Sequence, residues 1–317
     1  MVWSQSSAPC GIGVYIRRKS LRGLAVNLDG EVIEGTHRRV ELTAGDEHEG
    51  PVPVPTVVEA VASLVDGILA DHPELRASVT GLGVAAGGHV DARTGVVRFS
   101  TTLGWSDVAL ADLLRTATGI HTVVVHNDCS ALALAEQAFG GGRYLPTFAV
   151  VTCRFGIGCA LVHDNGLVVG ANGSASELGH IVRDPAGPPC VCGRNGCLQT
   201  FAAPEAIALA VRGERPEVET ARDVVELAGQ GDDLAAAALA RAGEALGWGI
   251  SMLANVANPG LVLLHGDPVV LGSEHYLPAV ERSLRSLVFP TIQCEVRVRH
   301  SYHRMTARGV ASEVVSG

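Results

Sequence analysis

The sequence predicts an α/β protein built as two lobes, and three observations carry that expectation. Strand-sized apolar runs alternate with stretches of helical spacing along the chain. Its 317 residues are long enough to bury two separate cores. A β-rich opening near residue 11 is matched by a second near residue 148, the pattern of two related halves. Hydrophobic residues at 47% against 18% charged ones place the chain among globular rather than disordered proteins.

In chain order, Gly11 to Ile16 and Leu21 to Asn27 read as strands joined by Arg17-Arg18-Lys19-Ser20, and Asp29-Gly30 marks a turn into a strand from Glu31 to Ile33. Val57, Val61, Leu64 and Ile68 fall on one helical face within residues 55–70. Val79 to Ala86 is a buried-strand pattern ending at Gly87-Gly88. Trp105 to Thr116 reads as a helix with Asp107 near its start, followed by a strand at Val123 to Val125 and a helix from Ser130 to Ala138. Phe148 to Thr152 and Gly158 to Val162 are strands around a glycine turn. A long helix spans Ala235 to Ala257, stopped by Asn258-Pro259-Gly260, and Leu261 to Leu264 returns as a strand. A helical pattern closes the chain from Ala307 to Val315. The expected division is a small lobe over residues 1–122, with a final helix at about 305–317 returning to it, and a large lobe over 123–304.

Acidic residues outnumber basic ones by 33 to 24, a net charge of −9 that argues against coating nucleic acid. The 38 glycines point to tight turns and close backbone approaches. No apolar run reaches bilayer-spanning length, and Met1 to Pro9 lack the basic-then-apolar order of a signal peptide. A cytoplasmic location with no membrane partner is expected.

The sharpest chemical signal is His180 followed by Cys190, Cys192 and Cys197. One imidazole and three thiols form a tetrahedral zinc set. Gly193 and Gly196 let the segment fold back on itself, and Pro185, Pro188 and Pro189 stiffen its approach. Four protein ligands leave no open position for water, so a zinc here is structural. The expected zinc loop covers residues 180–197.

The run Gly170-Ala171-Asn172-Gly173 through Glu177-Leu178-Gly179-His180 into this cysteine cluster resembles the signature of the ROK family of repressors, open reading frames and kinases. Gly81 to Ala86, Leu103-Gly104-Trp105, Asn127-Asp128, Phe139-Gly140, Gly156-Ile157-Gly158 and Asn258-Pro259 agree in order and spacing, so the resemblance spans residues 11–315. It implies an actin-like, ribonuclease H-like fold of the hexokinase type, two-lobed, with a sugar cleft between the lobes and a zinc-binding loop. It also implies a homodimer or homotetramer.

Carried over by position, the resemblance makes Asp128 the general base toward a sugar hydroxyl. Thr102, Asn127, Glu177, His180 and Gln199 join it as sugar contacts. From the residues alone, Asp128 reads equally as a helix N-cap. The resemblance implies that His180 binds zinc through one ring nitrogen and a hydroxyl through the other. Gln199 and Thr102 depart from the usual glutamate and asparagine, which bears on ligand identity.

The nucleotide side departs further. Tyr15 stands where family kinases carry an aspartate, and Arg17, Arg18 and Lys19 replace Gly-Gly-Thr. The second phosphate turn reads Arg154-Phe155-Gly156, ahead of Gly158. A phenol does not replace a carboxylate near magnesium, and side chains block close backbone approach. The four cations read either as a charged turn facing solvent or as an anion site rebuilt from side chains. The expected function is therefore a regulator-type protein that binds a sugar or aminosugar and uses neither ATP nor magnesium. An ATP-dependent hexose or aminosugar kinase with an atypical nucleotide site is the alternative. The nine residues before Cys10 are too few for a helix-turn-helix reader, so specific DNA binding by this chain alone is not expected.

Overall fold

A computed structural model describes residues 8–42, 50–300 and 302–316. It is a mixed α/β fold with two five-stranded sheets and one three-stranded sheet among the described residues. The chain divides into two compact units. The first comprises residues 1–144, 169–175 and 301–317; the second comprises residues 145–168 and 176–300.

In the first unit, β1 (Cys10–Ile16) and β2 (Ser20–Val26) form a hairpin extended by β3 (Arg38–Glu41). Helix α1 (Val54–Asp71) buries Val57, Val61, Leu64 and Ile68, the face its spacing predicts. Strand β4 (Val79–Ala86) runs parallel to β1. A small antiparallel sheet follows, made of β5 (His89–Asp91), β6 (Val96–Ser100) and β7 (Trp105–Val108). Then come α2 (Leu110–Thr118), β8 (Val123–Asn127), parallel to β4, and α3 (Asp128–Phe139). The main sheet has the order β3-β2-β1-β4-β8.

The second unit repeats this plan. Strands β9 (Phe148–Cys153) and β10 (Ile157–His163) form a hairpin, and β11 (Gly166–Leu167) extends it. Helices α4 (Gln199–Ala202), α5 (Pro204–Arg212), α6 (Ala221–Gly229) and α7 (Asp233–Ala257) come next, and Asn258 ends α7 in the left-handed region. Strand β12 (Leu261–Gly266) runs parallel to β9. After α8 (Pro268–Leu271) and α9 (Tyr276–Leu287), β13 (Glu295–Arg299) pairs parallel with β12. The order β11-β10-β9-β12-β13 mirrors that of the first unit, in line with two related halves. The last helix, α10 (His303–Ser316), belongs to the first unit and packs on β1, β4 and α3.

Four sequence expectations shift. The predicted helix from Trp105 splits into β7 and α2, because Trp105 is buried with its indole N–H donated to the Val52 carbonyl at 2.6 Å while Ser106 and Asp107 face out. Antiparallel pairing with β6 then holds residues 105–108 as a strand. The predicted strand at Glu31 to Ile33 reduces to a single bridge between Val32 and Val26. The compact units part at 144/145 rather than 122/123, since β8 pairs into the first sheet and α3 follows it. Helix α10 begins at His303, ahead of the expected Ala307. No helix among the described residues is long and apolar enough to cross a membrane.

Candidate functional site

In the first unit the chemistry gathers where β8 passes into α3. Asn127 caps the helix. Its Oδ1 accepts from Cys129 N at 2.8 Å and from Ser130 N at 3.3 Å, while its Nδ2 donates to the Gly88 carbonyl at 2.7 Å. The cap role that the residues alone allow Asp128 thus falls to its neighbour, and Asp128 becomes the first residue of the helix. Asn127→Ala is expected to cost about 1–2 kcal/mol in urea unfolding, because the cap and its tether to the β4–β5 turn vanish together.

Asp128 is held by two tyrosines. Its Oδ2 accepts from the Tyr15 hydroxyl at 3.2 Å and from the Tyr302 hydroxyl at 3.0 Å, and its Oδ1 accepts from Cys129 N at 3.1 Å. Both phenols are buried and sit edge to face, with ring centroids 5.8 Å apart. His303 stacks on Tyr15 at 5.9 Å. Burial, and then the charge of Asp128, push both phenol pKa values well above their usual value, so both stay O–H donors. Tyr302 and His303 escape sequence reasoning; the one available signal is an aromatic pair at the start of the last helix.

Thr102 and Asp128 flank a bare spot. A Cβ on Gly87 would lie 3.7 Å from Thr102 Oγ1 and 3.8 Å from Asp128 Oδ2, so the missing side chain leaves both groups open to a ligand hydroxyl. Arg18 donates to the carbonyls of Thr102 at 3.0 Å and Gly50 at 2.9 Å, bracing the β1–β2 turn against this region. Its guanidinium is therefore engaged with backbone carbonyls. Arg17 and Lys19 lie on the same turn. Arg154, Gly156 and Gly158 belong to the β9–β10 hairpin of the second unit, where Arg154 N donates to Gly156 O at 3.1 Å and Gly158 pairs with Thr152.

The second unit brings the four predicted metal ligands together. The ligand atoms of His180, Cys190, Cys192 and Cys197 all lie within 4.8 Å of one another. Tetrahedral zinc, with sulfur at about 2.3 Å and nitrogen at about 2.0–2.1 Å, would set sulfurs about 3.8 Å apart and nitrogen about 3.6 Å from sulfur. Cys192 and Cys197 Sγ stand 3.6 Å apart, and Cys190 Sγ is 3.5 Å from His180 Nδ1. The quartet fits zinc closely, with Nδ1 turned to the sulfurs. Short bridges between Val182 and Cys197 and between Pro189 and Asn195 fold the segment back.

Outside the quartet, Gln199 Nε2 donates to Cys190 Sγ at 3.2 Å, and Arg194 donates to the His180 carbonyl at 3.0 Å. Burial works against a Cys192 thiolate, but hydrogen bonds from the Arg194 backbone and side chain bring the Cys192 pKa down to about 7. The departure at Gln199 thereby gains a physical sense, since an amide N–H stabilises a sulfur that a carboxylate would repel. Glu177 is exposed just before the turn that carries His180.

The profile of the ROK family matches residues 20–315. Among curated relatives, the glucokinase of Halalkalibacterium halodurans is 27% identical over 296 residues, spanning 89% of this chain and 87% of the relative. A putative xylose repressor of a Caldicellulosiruptor species is 26% identical over 303 residues, spanning 92% of this chain and 73% of that protein. Among solved structures, a ROK family transcriptional regulator homologous to the E. coli MLC protein superimposes with a TM-score of 0.84 at 23% identity, over 99% of this chain and 80% of that one. That last likeness is one of fold.

Proposed function

The chain belongs to the ROK family, and on that premise we propose that it is a regulator-type monosaccharide receptor whose phosphate turns no longer serve phosphoryl transfer. The observation that carries the reading is the pair of phenols on Asp128. An ionised carboxylate offers about four acceptor sites. Three are taken by Tyr15, Tyr302 and Cys129 N, which leaves one for a sugar hydroxyl. Such a group still binds a hydroxyl. The position that should handle a metal-bound phosphate carries Tyr15, one of those donors.

The first unit's candidates for a sugar hydroxyl are Asp128, Thr102 and the remaining amide hydrogen of Asn127; the second unit's candidates, taken by themselves, are Glu177, His180 and Gln199. Relatives named glucokinase and xylose repressor support a monosaccharide or aminosugar ligand. The reading includes a structural zinc, no need for ATP or magnesium, a homodimer or homotetramer, a cytoplasmic location, and no specific DNA binding by this chain alone. The second reading, a sugar kinase, is favoured by the retained Asp128 and by the glucokinase relative.

Calorimetric titration with pentoses, hexoses and N-acetyl-aminosugars, without nucleotide, is expected to find a ligand. Asp128→Ala should weaken that binding about tenfold or more, the loss of one charged hydrogen bond. ATP-dependent formation of a sugar phosphate, abolished by Asp128→Asn, would establish the kinase reading instead. Failure of every sugar to bind zinc-loaded protein would remove both.

A further inference from the structure

The strand beside Tyr15 carries a second group of charged side chains that the sugar reading does not use. Arg22 stands opposite Tyr15 across the β1–β2 ladder and shares its face, the one turned toward α10. The Nε of Arg22 and the Nε2 of His37 are both shut off from solvent, and neither finds a hydrogen-bond partner among the described residues. Burial, and then the charges of Arg304, Arg22 and Arg38, lower the His37 pKa.

The neighbouring cations are already neutralised. Arg38 pairs with Asp71, and Arg39, across from Arg22, pairs with Glu41 at 2.5 Å. Arg22 and Arg304 have no acidic or carbonyl partner among the described residues. Arg304 is the second residue of α10, a helix of 14 residues with no acid in its first turn. No acidic side chain of its own first turn offsets the positive end of that helix. Two unpaired arginines, two orphaned buried nitrogens and a helix start without an acidic side chain thus occur together in a chain of net charge −9. Like charges gathered this way repel unless an anion joins them.

We propose that this cluster binds the dianion of a small phosphate monoester, held by Arg22 and Arg304, with His37 Nε2 completing the shell. A guanidinium fork matches phosphate oxygens in geometry and charge. The orphaned nitrogens have no protein partner among the described residues, and the flanking Arg38 and Arg39 are spent on their own acids. That leaves one compact oxyanion site and no extended basic track of the kind a nucleic-acid backbone requires.

The test is calorimetric titration of the full chain in low-salt chloride buffer, with inorganic phosphate and glucose 6-phosphate as probes. Both should bind saturably, one per chain. Arg22→Gln and the exposed Arg304→Gln should each weaken both probes about tenfold, the loss of a charged hydrogen bond. Arg39→Gln should leave binding unchanged. Because Arg304 is exposed, that variant keeps the test valid even if Arg22→Gln fails to fold. Absence of saturable phosphate binding would overturn the proposal, as would binding indifferent to both arginines. Glucose 6-phosphate binding lost in Asp128→Ala but kept in Arg304→Gln would overturn it as well, by placing that ligand in the sugar site. Affinity for an oligonucleotide without affinity for free phosphate would do the same.

Discussion

Cys197→Ser, or exhaustive removal of metal by a strong chelator, is expected to lower stability by about 3 kcal/mol or more and the melting midpoint by about 6–12 °C. The quartet of His180, Cys190, Cys192 and Cys197 converges within 4.8 Å, on a backbone of turns and two isolated bridges rather than a helix or a sheet. A metal at this position links the segment's two ends directly. Without it, three sulfurs and an imidazole crowd together with nothing to share, and ionised thiols repel. Cys197 is fully buried, and the segment next to it starts α4 with Gln199, whose amide holds Cys190. Loss of the metal therefore propagates to Gln199 and to the orientation of His180, both assigned to the sugar. Metal analysis should return one zinc per chain for the wild type. Hydrogen exchange should locate the loosened region at residues 180–202. A metal-free protein, confirmed as such, that melts with the wild type would contradict the expectation.

The convergence of His180 with the three cysteines is legible because the four are near in sequence and because cysteine among glycines and prolines has little other use. Helix α1 is legible for a different reason: a core on one side imposes a 3.6-residue spacing that Val57, Val61, Leu64 and Ile68 obey. Strand β7 is not, since four residues are too few to tell alternation from the first turn of a helix, and a tertiary contact, Trp105 to Val52, decides the matter. The roles of Asn127 and Asp128 could not be separated in advance, because both side chains cap helices well. The reach of Asn127 to Gly88 settles which one does. The phenol pair lies furthest from sequence reasoning. Tyr15 and Tyr302 are separated from Asp128 by 113 and 174 positions, and only the packing of α10 on β1 brings them together. Residues 1–7 and 43–49 fall outside the described structure, so the reading of the chain's first residues is carried no further.

That packing exposes the fold's most sensitive point. Gly83→Ala is expected to destabilise the protein by about 3 kcal/mol or more, at the upper end for overpacking, because the added methyl meets backbone rather than a movable side chain. A Cβ at Gly83 would lie 2.0 Å from the Val310 carbonyl oxygen, and one at Gly13 would lie 2.0 Å from that of Ala307. Strands β1 and β4 are paired at this level, Gly13 with Gly83, so α10 rests on a floor of two adjacent glycines. Neither side can yield: the strands lie inside the sheet, and the helix is fixed against α3, where a Cβ on Gly309 would come within 2.1 Å of the Ala131 carbonyl oxygen. Relief requires lifting α10 as a body. Tyr302 immediately precedes that helix, so the same displacement draws its hydroxyl away from Asp128. Gly83→Ala should therefore lower the urea midpoint and weaken sugar binding together. Gly67→Ala, in α1 with open space around it, serves as the control and is expected to be neutral or to stabilise by up to about 1 kcal/mol. Equal unfolding midpoints for the two variants would mean that the helix does not depend on that glycine floor.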